Sequence, residues 1–129
     1  MPVPDVIVSP GVSIGLPAQL NALVAQAESG DSEFRPLAER AAGLAQAAGA
    51  KESESWITAQ QALSAAVAAR GQVTRAVGDI DALAAQRIQK LGGIGVADLQ
   101  AIDDAASRVA KIDEREAATI DRIQGLLSR

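Results

Sequence analysis

Carboxylates are the residues of this chain best able to do chemistry. They are densest in three short stretches, at Asp79 and Asp81, at Asp103 and Asp104, and from Asp113 to Glu116. Paired carboxylates can act as general acid and base, or can ligate metal ions inside a helical bundle. Bundles of that kind add histidine ligands, and this chain has no His. Helical spacing places most of these acids on outward faces, so we expect a solvated surface and no metal site.

Other catalytic groups are scarce. The chain has no Cys and no Tyr, and without His it has no imidazole base, thiolate nucleophile, haem ligand or disulfide. Its serines therefore lack a His partner, and none forms a Ser-x-x-Lys motif. The glycines at 92, 93 and 95 follow a predicted helix, whereas a phosphate-binding loop follows a strand. We expect an interhelical turn there, and no enzyme and no cofactor.

The composition favours an all-α protein. The 129 residues are 48% hydrophobic but only 2% aromatic, and 28 of them are Ala. Ala, Gln, Leu, Arg and Glu are strong helix formers. Small side chains bury little area each, so such a core gains little free energy per residue. We therefore expect long regular contacts, a coiled-coil-like packing, or a partner.

Charge and hydropathy exclude several partners and limit the compartment. The net charge of −4 and the scattered arginines disfavour nucleic acid and anionic membranes. The longest apolar run is far shorter than the ~20 residues that span a bilayer. The chain is predicted to be cytoplasmic as written, or periplasmic or secreted if Met1 replaces a removed signal peptide. Its Ala- and Arg-rich, Lys-poor usage is typical of GC-rich bacterial genomes.

Residues 1–16 are predicted to form an extended apolar arm, separate from a single helical domain over residues 17–129. Prolines and glycines exclude a long helix, and the apolar residues are mostly β-branched. Two roles remain open for this arm. It covers apolar surface of its own bundle, or it reaches a second subunit or another protein through Val6, Ile7 and Val8.

Two short helices are predicted to follow, over about 17–29 and 32–48. Pro17 suits a first helical position, and Gly30 suits a helix end. Asp31 or Ser32 then caps the second helix, whose first turn tolerates Pro36. These helices would brace the rest of the bundle.

A long antiparallel hairpin is predicted from two further helices, over about 53–91 and 96–128. A heptad frame with Trp56, Leu63 and Val77 at position a continues through Gly71 without a phase slip. One continuous helix is therefore favoured over a break at Gly71. The short Gly-rich turn then reverses the chain, which makes the fold an elongated all-α helical bundle.

Two departures from this apolar pattern stand out as candidate sites. If paired positions sum to about 187, Arg70 falls opposite Glu116 or Ala117, and we predict that Arg70 and Glu116 meet as a register pair. The alternative is that both side chains extend to solvent. Trp56 is a candidate interaction residue if it is exposed, and otherwise covers the end of the bundle.

These observations predict a non-catalytic helical module for protein–protein interaction or structure. Because the core is thin for the chain length, we expect homodimerisation or another protein partner. The alternatives are an adaptor or chaperone that holds a client's helix and, less favoured, a carboxylate binder of a metal or small ligand.

Overall fold

The computed structural model describes residues 15–93 and 95–129 and is all-α, with no strand in those ranges. Its helices, in chain order, are α1 (Leu16–Ala47), α2 (Glu54–Ala69), α3 (Gly71–Leu91) and α4 (Val96–Leu127). None of these helices is both long enough and apolar enough to cross a bilayer.

Helix α1 corrects the prediction of two short N-terminal helices. It passes without interruption through Gly30, Asp31 and Pro36. A Cβ added to Gly30 would lie 2.8 Å from the Cβ of Gln72, so this glycine permits close helix packing and does not end a helix. Gly inside a helix costs only about 1 kcal/mol relative to Ala. Buried side chains lie on both sides of the predicted break, and their packing outweighs that penalty.

Helices α2 and α3 are separated by Arg70 alone. Its backbone is right-handed helical, with φ −64° and ψ −16°, and its carbonyl accepts from the Thr74 N–H at 3.0 Å. The predicted single helix is thus interrupted at one residue, next to Gly71, and the chain does not reverse there. Ser53 caps α2, as its side chain accepts from the Trp56 N–H at 3.2 Å.

Two apolar clusters form the core, and each draws on α1, α4 and one of the middle helices. The first lies around Phe34, Leu63 and Ile123, with α2 as the middle helix. The second lies around Leu20, Ile80 and Ile102, with α3 as the middle helix. The start of α4 therefore packs beside α3 and its end beside α2, so α4 runs antiparallel to both.

Candidate functional site

A set of charged residues lies between the two apolar clusters, and we call it the polar layer. In every helix that crosses this level, the apolar sequence is interrupted. Its members are Asp31 and Arg35 on α1, Arg70 at the α2–α3 junction, and Asp113, Arg115 and Glu116 on α4. Two of them, Asp31 and Glu116, are buried.

Asp31 connects α1 to α4. Its Oδ2 atom accepts from Arg35 Nε at 2.7 Å and from Arg115 Nη2 at 2.7 Å, and the residue is only 4% exposed. Both arginine side chains remain more than half exposed. The sequence predicted Asp31 as a possible helix cap; its position in the middle of α1 corrects that assignment.

Arg70 connects the α2–α3 junction to α4. Its Nη2 atom donates to the carboxylate of Asp113 and, at 3.2 Å, to the main-chain carbonyl of the same residue. Its Nε atom lies 3.4 Å from Glu116 Oε1 without forming a hydrogen bond. The structure thus brings Arg70 and Glu116 together. Their role in setting the helix register stays a prediction.

Glu116 is fully buried, at 0% exposure. Neither of its oxygens has a hydrogen-bond partner, and Asp31 Oδ1 is unpartnered as well. Burial and the neighbouring Asp31 together raise the pKa of Glu116 from 4.5 to about 7, against the lowering effect of Arg70. The layer therefore contains a carboxyl that binds a proton near neutral pH.

The chemical capacity of the layer is narrow. Among the described residues, no three carboxylates come close enough together to hold a metal ion. Glu116 has no exposed surface, so a substrate cannot reach it for proton transfer. The arrangement can join helices through charge and can hold or release a proton. The acids at 79, 81, 103 and 104 lie exposed on the surface.

A second feature, which we call the tip, is an exposed apolar surface at the α3–α4 end. It consists of Ile88, Leu91, Val96 and Leu99, which are 46% to 73% exposed. Leu99 lies one turn before the buried Ile102, on the same face of α4. Helix α1 begins at Leu16, which packs in the cluster of Ile80 and Ile102. The apolar stripe thus continues beyond the part of α3 and α4 that α1 covers.

Trp56 lies at the opposite end of the molecule and is partly buried. It packs against the first apolar cluster, and its Nε1 atom donates to the Leu127 carbonyl at 3.0 Å, which joins the start of α2 to the end of α4. The other predicted interaction residues, Val6, Ile7 and Val8, lie outside the described residues.

The sequence analysis identified Arg70 and Glu116 but missed the buried role of Asp31. A signal for Asp31 was present, because α1 has seam residues separated alternately by four and three positions, and Asp31 occupies one of them. The series is Leu20, Val24, Ala27, Asp31, Phe34, Ala38, Ala41 and Ala45.

Comparison of the chain with protein-family models, with curated proteins and with solved structures finds no match.

Proposed function

We propose that this chain is a non-catalytic helical interaction module that associates with a second copy of itself through the tip. The observation that carries the proposal is that the apolar stripe of α3 and α4 is exposed at the end of the bundle. Its exposed residues are Ile88, Leu91, Val96 and Leu99. Contiguous apolar side chains at one end of a molecule favour a contact surface over a solvated one.

The charges around the tip support a second copy as the occupant. The last two turns of α3 carry Arg87 and Lys90 and no acid, whereas residues 96–104 of α4 carry three Asp residues and no base. A two-fold contact places the basic α3 segment of one copy against the acidic α4 segment of the other. Within one chain these two segments already form an ion pair, in which Arg87 Nη2 lies 3.1 Å from Asp98 Oδ2.

The size of the tip sets the form of the contact. A stable interface buries about 1,000 Å² or more in total. Four partly exposed aliphatic side chains per copy do not supply that area alone, so the flanking Arg, Gln, Lys and Asp side chains have to take part. We therefore expect an apolar centre with a charged rim, and a dimer that weakens at high salt.

The test is the solution mass, measured by sedimentation and light scattering at tens of micromolar protein. We expect a dimer. The variant Ile88→Gln should weaken it about tenfold or more, which corresponds to a loss of about 1.4 kcal/mol. Ile57→Gln is the matched control, because Ile57 on α2 is also 46% exposed but lies far from the tip along the chain.

Two results would overturn the proposal. One is a monomer at these concentrations, which would leave the tip to a client's helix or to the N-terminal segment. The other is a dimer weakened equally by Ile88→Gln and Ile57→Gln, which would place the contact elsewhere.

A further inference from the structure

The unpartnered carboxyl oxygens of the buried layer point to a missing proton. Glu116 Oε1 and Oε2 and Asp31 Oδ1 are all buried and have no hydrogen-bond partner. Buried polar groups in folded proteins are nearly always paired, and an unpaired one costs about 1–3 kcal/mol. Three such oxygens in one place therefore need an explanation.

An ionised carboxylate only accepts hydrogen bonds, so two ionised carboxylates cannot pair with each other. A protonated carboxyl can donate, and Asp31 lies beside this part of α4, because it accepts from Arg115, the residue before Glu116. One proton on Glu116 would therefore satisfy a Glu116 oxygen and Asp31 Oδ1 together.

The surrounding charges decide which carboxyl holds the proton. Asp31 accepts from two cations on its Oδ2 atom, Arg35 of α1 and Arg115 of α4. Glu116 faces a single cation, Arg70, at 3.4 Å and without hydrogen-bond geometry. Arg70 in turn donates to Asp113, the remaining acid at this level. The proton thus belongs on Glu116.

From this geometry we propose that Glu116 is kept as the neutral acid and that its carboxyl O–H donates a hydrogen bond to Asp31 Oδ1, which makes the link between α1 and α4 depend on pH. This hydrogen bond is present below neutral pH. When Glu116 ionises, the hydrogen bond is lost, and two buried negative charges face each other between the helices. The link between α1 and α4 then weakens as the pH rises through neutrality.

The experiment is a pH titration of the side-chain carboxyl carbons by NMR, on the full chain. We expect the Glu116 resonance to titrate near pH 7 and the Asp31 resonance to move at the same midpoint, because a shared proton couples the two groups.

The variant Asp31→Asn removes the neighbouring charge, so the Glu116 midpoint should fall by about one pH unit or more. Because the titration of the unaltered protein decides the proposal by itself, a variant that fails to fold does not affect it. A Glu116 midpoint near the ordinary glutamate value of about 4.3, or an Asp31 resonance that does not follow Glu116, would overturn the proposal. Neither result depends on the solution mass.

Discussion

The polar layer and the tip are both exceptions to the usual distribution of residues in a folded protein. The layer buries carboxyl groups, whereas the tip exposes apolar side chains. The layer puts two carboxyls inside the bundle, where each is close to an arginine of another helix or segment. The tip puts four aliphatic side chains outside, where no described residue of the chain covers them. Buried charge must be satisfied within the chain, whereas exposed apolar surface gains only from a partner. The layer therefore bears on stability, and the tip carries the association that we propose.

The largest loss of stability should come from removing Arg70 from the layer. Arg70→Ala should lower the free energy of unfolding by about 3–4 kcal/mol, because it removes the two hydrogen bonds that Arg70 donates to the carboxylate and the main-chain carbonyl of Asp113, and a hydrogen bond of a charged group contributes about 1.5–3 kcal/mol. Denaturant unfolding measures this.

Arg108→Ala is the matched control. Arg108 is 60% exposed and lies 3.7 Å from the exposed Glu28, so its loss should cost less than about 1 kcal/mol. Equal losses of unfolding free energy for the two variants would mean that Arg70 contributes no more to stability than a member of an exposed ion pair.

The second prediction concerns pH. Because the pKa of Glu116 is raised from 4.5 to about 7, the folded state binds this proton more tightly than the unfolded state. Its contribution to stability is complete below pH 4.5 and is lost as the pH rises through 7, by about 3 kcal/mol in all. The variant Glu116→Gln, which keeps a neutral donor, should lack this loss. Parallel unfolding profiles of the two proteins from pH 4 to 8 would contradict the prediction, whereas Ile88→Gln should leave the profile unchanged.

The third prediction tests the close helix contact beside the layer. Gly30→Ala should destabilise the fold by about 2 kcal/mol, because its Cβ would lie 2.8 Å from the Cβ of Gln72 and one helix would have to move. Gly43→Ala on the same helix has no atom within 4 Å of its Cβ and should stabilise by up to about 1 kcal/mol. Thermal unfolding compares the two, and the same sign of effect for both would contradict the role of Gly30.

The smallest effect is expected at the tip. Gly92 ends α3 with φ 72°, a left-handed conformation that costs an L-residue about 1 kcal/mol. Gly92→Ala should therefore lower stability by about that amount. Gly93→Ala lacks the positive φ and is the control. If the proposed dimer forms, both variants should leave the solution mass unchanged, since neither alters the four apolar side chains.

The helical class and the approximate ends of α4 could be predicted because they depend on local composition and periodicity. The stretch from Ser53 to Leu91 was also found, apart from its interruption at Arg70. The N-terminal helix was predicted wrongly because Gly30 and Pro36 are strong local signals for a break. Those signals were outweighed by packing against Gln72 and the core, which only the folded chain reveals.

The sequence by itself determined that this protein is helical, and it indicated which polar residues interrupt the seams. Composition and spacing suffice for that, because helix propensity and amphipathic faces are local properties. Only the tertiary structure decided that Asp31 joins the layer, that Glu116 is buried without an ionic partner of good geometry, and that α1 leaves the tip uncovered. Burial, pKa and surface exposure depend on which helices pack together and in what axial register. Contacts between residues far apart in the chain determine that packing.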